Sequence, residues 1–227
     1  MEKAILKSFN EQAKTIKFTI PKALDAEENA IKKSIKMKPF NKYIDEKLFT
    51  LYFVSAGRYG GQEVLNRLGI EATFGGFDKK ITKQLAKRAE LLINTVDNTT
   101  KDKIAKIVSG GRKAGLSPNE IQKEITKRIK EISPERAGLI VQAETANAIG
   151  TVEIITAKQN GIDKKEWITS GDDLVSEGCI ENEDAGPIPI EDSFPSGDQA
   201  PPRHPRCRCY LQEVIPDDYI NTDPYIG

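Results

Sequence analysis

The chain of 227 residues contains 30% charged and 38% hydrophobic residues, a composition typical of a folded protein with a sizeable core rather than of a disordered one. No apolar run approaches the roughly 18 residues that a membrane span needs. The amino terminus lacks the hydrophobic segment of a secretory signal, so we expect no membrane partner. Three cysteines cannot all pair within one chain, which argues against a disulfide framework and leaves thiols available as ligands.

The net charge of zero hides a strong asymmetry along the chain. Residues 1–133 contain 27 Lys and Arg against 16 Asp and Glu, a net charge of +11, whereas residues 134–227 contain 7 against 18, a net charge of −11. No basic residue lies between Lys165 and Arg203. This pattern favours a polyanion as the partner of the first part. Alternatively, the two parts attract each other, or both are simply solvated.

Residues 1–160 are dominated by helical periodicity. Apolar stripes predict two helices that end at Gly57 and Gly69, respectively. A longer helix follows Asp78, a good N-cap, and a shorter one ends at Gly110-Gly111. The stripe residues of these four helices are Ile44, Leu48, Leu51 and Tyr52; Val64, Leu65 and Leu68; Ile81, Leu85, Ala89, Leu92 and Val96; and Ile104, Ile107 and Val108.

Two later helices have explicit boundary signals. Ser117-Pro118-Asn119-Glu120 is a capping box with proline at the first helical position. Its apolar stripe is formed by Ile121, Ile125 and Ile129. Ser133-Pro134 predicts the start of the next helix, and Asn160-Gly161 ends it with residues that tolerate a left-handed backbone.

Beyond Gly161 the pattern predicts a small β unit. Residues 166–169 read as a short strand, and residues 170–203 as an acidic loop rich in Pro, Gly and Ser. The cysteines and arginines of residues 206–209 then alternate up to Leu211, a period of two that predicts a strand. The sequence therefore predicts an α+β fold, with a mainly helical body followed by a small, irregular β-containing C-terminal unit.

The sequence signals for a catalytic centre are weak. A thiol nucleophile would need His204 as its base beside Cys207 or Cys209, but no acid within that segment orients the imidazole. The carboxylates of residues 172–198 resemble those of a two-metal nuclease, yet their spacing singles out no pair, and a solvated loop is the simpler interpretation. Three glycine clusters match no phosphate-binding motif, and we interpret them as helix ends and turns. These clusters are residues 57–61, 74–77 and 109–115.

The segment HPRCRC, residues 204–209, has the residue types of a metal site. Structural zinc takes four Cys and His ligands, and the chain offers Cys179, His204, Cys207 and Cys209. Alternate side chains of a strand share a face, with Cα atoms about 6.6 Å apart, and Pro205 stiffens a corner between His204 and Cys207. We therefore expect a structural Zn²⁺ and no other cofactor. The alternative is ordinary packing of two small side chains, with His204 hydrogen-bonded.

A series of motifs occurs in a fixed order between about residue 100 and residue 212. The series is Gly115 with Leu116-Ser117-Pro118-Asn119-Glu120-Ile121; Arg136-Ala137; the run from Ile140 through Glu144 to Gly150; Trp167 and Asp172; and Phe194, Pro202 and HPRCRC. This series resembles the phage head-morphogenesis family of minor capsid proteins, the Mu F-like group. The chain departs from the family pattern at Gln142-Ala143, where Arg-Thr is usual, and at Leu174, where an arginine is common. At Ser176 a cysteine is frequent, so a metal site here must be completed by His204.

The resemblance implies a structural, non-enzymatic minor capsid protein of a tailed phage or prophage. Its implied partners are the portal protein, a major capsid or scaffold protein, and double-stranded DNA bound without sequence specificity. The implied locations are the interior of the virion head and, during assembly, the bacterial host cytoplasm. The structural motif residues carried over are Glu144, Trp167, Asp172 and Arg208.

With this resemblance, the chain divides into four predicted segments. Residues 1–100 form a basic helical region, residues 101–161 the helical part of the head-morphogenesis domain, residues 162–215 a small β unit with the Cys/His corner, and residues 216–227 a tail. We expect Trp167 to be buried against residues 139–155. We also expect Glu144 to be paired, with an arginine of the Cys-Arg-Cys segment as the candidate partner.

Two other functions remain open. A nuclease or toxin-like effector that carries a phage-head domain should continue into a catalytic domain, whereas only 18 residues follow Cys209. A zinc-stabilised nucleic-acid-binding module should have basic residues around its metal, whereas the loop that precedes HPRCRC is acidic.

Overall fold

The computed structural model describes residues 1–17, 28–37, 46–75, 79–217 and 219. About 60% of the structure is helical, with a small antiparallel sheet of three strands near the carboxyl terminus, which confirms the predicted α+β class. The helices are α1 (Glu2–Thr15), α2 (Glu28–Ser34), α3 (Glu46–Arg67), α4 (Lys79–Lys113), α5 (Pro118–Gln159) and α6 (Glu177–Asp184), and the strands are β1 (Lys164–Ile168), β2 (Ile188–Pro189) and β3 (Tyr210–Val214).

Some predicted features lie outside the described residues. They are Ile44, the N-cap Asp78, nearly all of the tail 216–227, and the side chains of Leu48, Leu51, Tyr52, Ala89 and Leu92. Within the described part of the chain, none of the helices combines the length and the apolar character that crossing a bilayer requires.

The chain folds into two compact units. The first unit comprises Met1–Phe49 and Lys87–Gly138, and the second unit comprises Thr50–Ala86 and Leu139–Gly227. The core of the first unit is aliphatic and comes from α1, α2, α4 and the start of α5. Its buried residues are Ala13, Ile16, Ile31, Ile35, Ile104, Ala105, Val108, Ile121, Ile125 and Ile129. The predicted stripe of α5 and, from α4, Ile104 and Val108 therefore do form this core, whereas the two helices predicted between Asp78 and Gly111 are the single helix α4.

The predicted helix start at Ser133-Pro134 is wrong, because α5 runs through it without a break. Proline in a helix interior loses one backbone hydrogen bond, at a cost of about 3 kcal/mol. Local contacts offset this cost: Ser133 donates to the carbonyl of Ile129, and Ala137 is fully buried. Arg136 donates to Thr100 Oγ1 at 2.8 Å, and its guanidinium lies over a phenyl ring of α1.

The predicted end of a helix at Gly110-Gly111 is also wrong, because α4 extends to Lys113. A Cβ at Gly111 would lie 2.8 Å from Cγ1 of Ile121. Glycine at this position therefore permits the close approach of α5 and does not mark a helix end. Gly115, with φ of +73°, makes the turn between the two helices.

The glycines of residues 57–61 serve the same purpose in the second unit. Instead of ending at Gly57, α3 continues to Arg67, and Gly69, with φ of +69°, follows its end as predicted. A Cβ at Gly60 would lie 2.7 Å from the backbone oxygen of Ile149. This glycine allows α3 and α5 to pack backbone against backbone.

The sheet of the second unit has the strand order β2-β1-β3, and β1 is antiparallel to both neighbours. Trp167 of β1 stands opposite Leu211 of β3. The predicted strand at residues 206–211 begins later than expected, at Tyr210, because β1 ends at Ile168, the partner of Tyr210, and offers no backbone groups beyond it. The predicted acidic loop is also not wholly irregular, since it contains α6 and β2.

Candidate metal centre

Cys179 lies in the first turn of α6, and hydrogen bonds hold this short helix on two sides. Glu183 accepts from the backbone N–H of Thr169 at 2.8 Å and from its hydroxyl at 2.7 Å, which ties α6 to the end of β1. Asn182 exchanges two hydrogen bonds with Ser196, which ties α6 to the following loop. The Cys179 side chain is thereby fixed and completely buried.

His204 and Cys207 are brought side by side by a tight turn. The backbone N–H of Cys207 donates to the carbonyl of His204 at 3.1 Å. Pro205 occupies the second position of this turn, and Arg206, with φ of +64°, occupies the third, which is the arrangement of a type II turn. The corner expected from Pro205 is therefore present, although the left-handed backbone of Arg206, a non-glycine residue, is uncommon.

The turn places the side chains of His204 and Cys207 next to Cys179. The Cys179 Sγ lies 3.5 Å from the His204 Nε2 and 3.9 Å from the Cys207 Sγ. One ligand atom from each of these three residues lies within 4.8 Å of the other two. All three cysteines are free thiols. We call Cys179, His204 and Cys207 the Cys–His cluster.

Cys209 lies outside the Cys–His cluster, whose ligand atoms are within 4.8 Å of one another. Its thiol nevertheless interacts with those of Cys179 and Cys207. The predicted convergence of four ligands is thus seen for three of them. Cys209 lies beside the cluster, half-buried, on the segment that leads into β3.

The thiols differ in their acidity. Burial raises the pKa of Cys179 and raises the pKa of Cys209 to about 12. Burial also opposes ionisation of Cys207, but backbone hydrogen bonds from Cys209 and Arg203 outweigh it and lower the pKa of Cys207. A buried thiol with a raised pKa, such as that of Cys179, is a poor nucleophile.

Buried apolar side chains pack against one side of the Cys–His cluster. Trp167 is completely buried, as predicted, and meets Phe194 edge-to-face with ring centroids 5.2 Å apart. Cys179 and Leu211 belong to the same buried group, and Ile154 of α5 packs against it. Residues 139–155, against which Trp167 is expected to pack, thus reach this buried group through Ile154.

Two further motif residues form a pair at the surface. The guanidinium of Arg208 donates to both carboxylate oxygens of Asp172, at 2.5 and 2.6 Å, and this contact lowers the pKa of Asp172.

Glu144 is buried and accepts from the amide of Asn147 at 3.5 Å. Arg208, the candidate partner of Glu144, forms its two-pronged ion pair with Asp172.

Sequence reasoning missed a buried ionic network in the second unit. Arg67 of α3 binds Glu213 of β3 through two nitrogens, at 2.7 and 2.8 Å, and Glu153 of α5 at 3.1 Å. Both carboxylates are buried. Burial raises the pKa of Glu153 to about 7. These residues are far apart in the sequence, and nothing in their spacing indicated the contact.

Lys165 was missed as well, although a signal for it existed. It shares a face of β1 with Trp167 by the period of two, and it is fully buried. Its ammonium group donates to the backbone oxygen and the side-chain oxygen of Gln199, at 2.9 and 3.0 Å. Burial lowers the pKa of Lys165 to about 8.

Comparison with known proteins gives one finding. Residues 102–212 match the family model described as Phage Mu protein F like protein, whereas no curated protein and no solved structure matches the chain significantly. The matched segment contains α5, β1, α6 and the whole Cys–His cluster. Residues 102–212 therefore form a Mu F-like domain, which supports a phage head-morphogenesis protein.

Proposed function

We propose that the protein is a non-enzymatic minor component of a tailed-phage head, which contacts the portal protein and packaged double-stranded DNA during head assembly. The observation that carries this proposal is the family match over residues 102–212. Such a protein resides inside the virion head, and before that in the host cytoplasm. The net charges of the two units have opposite signs, which supports DNA as the partner of one unit and protein as the partner of the other.

The charge asymmetry of the sequence follows the two folded units. The first unit contains 23 Lys and Arg against 14 Asp and Glu, a net charge of +9, and the second contains 11 against 20, a net charge of −9. Phosphate contacts supply most of the sequence-independent affinity for DNA. The first unit is therefore the DNA-binding part, and the second unit faces the portal and the major capsid or scaffold protein.

Exposed lysines at the start of α5 support the assignment of DNA binding to the first unit. Its buried face carries the isoleucines of the core, and Lys123, Lys127 and Lys130 are exposed at the spacing of one helical stripe. Lys106 and Lys113 of α4 are also exposed. Lysines spread along helices bind the phosphate backbone without reading bases.

A salt series with the purified full-length chain tests the DNA contact. We expect retardation of duplexes of unrelated sequence with equal affinity, and a steep loss of binding between about 50 and 200 mM salt. Replacement of Lys123, Lys127 and Lys130 by Glu should weaken binding uniformly. It should also reduce the salt slope by about 1 for each phosphate that the variant no longer neutralises.

A charge-matched triple variant serves as the control. Replacement of the exposed second-unit residues Arg58, Lys83 and Lys164 by Glu changes the net charge by the same amount. If this variant loses as much affinity as the first-unit variant, only net charge matters and the first unit is not the DNA-binding part.

The protein contact is tested separately. The full-length chain and the portal protein encoded in the same phage genome should copurify when produced together. Binding should survive the triple change at Lys123, Lys127 and Lys130. Absence of copurification with the portal protein, the major capsid protein and the scaffold protein would refute the proposed role in head assembly.

A further inference from the structure

We propose that Cys179, His204, Cys207 and Cys209 hold one structural zinc ion in the second unit, through three thiolates and one imidazole. The inference is independent of the DNA and portal contacts. It rests on the geometry of the Cys–His cluster, on the tautomer of His204, and on two buried hydrogen-bond donors that point at cysteine sulfurs.

Two separations within the Cys–His cluster are those of tetrahedral zinc. Zinc bonds of about 2.3 Å to sulfur and about 2.0–2.1 Å to nitrogen place two sulfurs about 3.8 Å apart and a sulfur and a nitrogen about 3.5 Å apart. The structure has 3.9 Å between the sulfurs of Cys179 and Cys207. It has 3.5 Å between the Cys179 sulfur and the His204 Nε2. A disulfide would need about 2.05 Å.

The imidazole of His204 is oriented as a ligand. Its Nδ1 lies 2.9 Å from the backbone oxygen of Pro205. Because a carbonyl oxygen can only accept, Nδ1 carries the proton and Nε2 presents its lone pair to the Cys–His cluster. Metal-bound histidines are held in this way, with the second ring nitrogen donating to a carbonyl or a carboxylate.

Two buried donors face the sulfurs without an ordinary hydrogen-bond partner. They are the indole N–H of Trp167 and the hydroxyl of Ser176. The first interacts with the thiol of Cys209 and the second with that of Cys179. A protonated thiol is a weak acceptor, whereas a metal-bound thiolate is a strong one. Deprotonation on a metal therefore satisfies both donors at once.

Two arginines near the site, Arg203 just before the segment HPRCRC and Arg208 within it, contribute to the charge balance of such a site. Three thiolates and one Zn²⁺ leave a net charge of −1. Arg208 interacts electrostatically with Cys209, and the guanidinium of Arg203 lies against Gly178, where a Cβ would be 2.5 Å from it. The composition of HPRCRC, with cysteines and arginines interleaved, is consistent with this balance.

Cys209 completes the donor set. A site of three protein ligands would leave an open zinc position, which is typical of catalytic rather than structural zinc. The thiol of Cys209 already interacts with the two other thiols, so Cys209 is the residue assigned to the fourth position. The ion would then join α6 to the segment that leads into β3.

Metal analysis of the full-length chain, purified under reducing conditions, is the first test. We expect about one zinc per chain. After removal of zinc, titration with Co²⁺ should give the intense visible absorption of tetrahedral cobalt and a thiolate-to-cobalt charge-transfer band. A chain that retains no zinc and gives only the weak spectrum of octahedral cobalt overturns the proposal, whatever the variants do.

Variants then identify the ligands. Cys209→Ala should lower the charge-transfer intensity by about one third, because two of three thiolates remain. His204→Cys should raise it by about one third, whereas His204→Ala leaves all three thiolates and should keep the charge-transfer band, shift the visible bands of cobalt and weaken its binding. Arg208→Ala, which alters the residue between two ligands but removes no lone pair, should leave the spectrum unchanged. An unchanged spectrum in Cys209→Ala or His204→Ala overturns the donor set.

The outer donors give a finer test. Ser176→Ala should weaken zinc binding about 10-fold, the lower end of the range for outer partners of a metal site. Ser193→Ala, at an exposed serine of the same unit, is the matched control and should not change the affinity. Equal zinc affinities in these two variants would show that Ser176 does not support a thiolate.

Discussion

The core of the first unit and the core beside the sheet of the second unit differ in their residues, although the second unit also has an aliphatic cluster, formed by Val64, Leu65, Leu68, Ile70, Ala157, Ile162 and Ile190. In the first unit, Ile121, Ile125 and Ile129 are buried at helical spacing, and the neighbouring helices contribute further aliphatic side chains. The sheet of the second unit buries one tryptophan, one phenylalanine, one leucine and one cysteine. Beside them it buries Lys165 and Glu213, so charged groups are part of its interior.

The difference follows from the size of the elements. The first unit takes residues 87–113 of α4 and residues 118–138 of α5, and helices of this length supply enough apolar surface to form a core by themselves. Strands β1 and β3 contain five residues each, and a sheet this small buries too little apolar area for independent stability. Large aromatic side chains, ionic contacts and the Cys–His cluster supply the remaining stabilisation of the sheet. The sheet region of the second unit should therefore be sensitive to single changes.

The largest effect is expected at Trp167. Trp167→Ala removes the central side chain of the sheet core and should lower the free energy of unfolding by about 3–5 kcal/mol, which is a large part of the stability of a typical domain. Chemical denaturation followed by circular dichroism measures this loss.

Ile125→Ala, in the core of the first unit, is the comparison for Trp167→Ala. It should cost about 2–5 kcal/mol. Added zinc should stabilise Trp167→Ala less than it stabilises the unaltered chain, because the variant lacks the indole N–H beside the Cys209 sulfur and a ligand stabilises the folded state according to its affinity. Zinc should stabilise Ile125→Ala as much as it stabilises the unaltered chain. Equal stabilisation of both variants by zinc would contradict the separate roles of the two cores.

Features that repeat along one element could be predicted from the sequence. The stripe of Ile121, Ile125 and Ile129 follows from the helical period, and the burial of Trp167 follows from its size and its place on a strand. The candidate site was also predictable, because the chain holds only one histidine and three cysteines. Three of these four residues do come together.

Features that depend on contacts distant in sequence could not be predicted. Pro134 signalled a helix start, but the packing of Ser133 and Ala137 keeps α5 continuous. Arg67 reaches Glu153 and Glu213, which lie 86 and 146 positions away. Local patterns contain no information on such pairs.

The second expected effect is a pH dependence that originates at Glu153. Its folded-state pKa of about 7 exceeds the unfolded value of about 4.3, because burial opposes its ionisation. Between these values the folded state holds a proton that the unfolded state releases. The free energy of unfolding should therefore fall as pH rises from about 4.5 to 7, by an amount on the order of 2 kcal/mol, and show no further change from this group above that range.

Titration of the carboxyl carbon of Glu153 by NMR checks this prediction directly. Glu153→Gln should flatten the pH dependence of stability in that range. Glu71→Gln, at an exposed glutamate of the same unit, should leave the pH dependence as it is. A normal carboxyl pKa at Glu153 would mean that Arg67 compensates both buried carboxylates fully.

The smallest effect is expected at the start of α5, in the unit whose stability is spread over many aliphatic contacts. The capping box of Ser117 and Glu120 is confirmed: the backbone N–H of Ser117 donates to the Glu120 carboxylate at 2.8 Å, and the backbone N–H of Glu120 donates to the Ser117 hydroxyl oxygen at 3.3 Å. Ser117→Ala removes the cap oxygen and should lower the Tm by about 2–4 °C. Differential scanning calorimetry measures this shift.

Asn119→Ala is the matched control for Ser117→Ala, because it shortens an exposed side chain in the same helical turn and leaves the capping box intact. It should not lower the Tm, since alanine has the higher helix propensity. The Ser117 bonds also hold the pKa of Glu120 below its usual value, so the contribution of the cap should be present above the unfolded pKa and lost as pH falls through the folded pKa. A Tm difference between Ser117→Ala and the unaltered chain that persists unchanged in acid would show that the carboxylate of Glu120 takes no part in the cap.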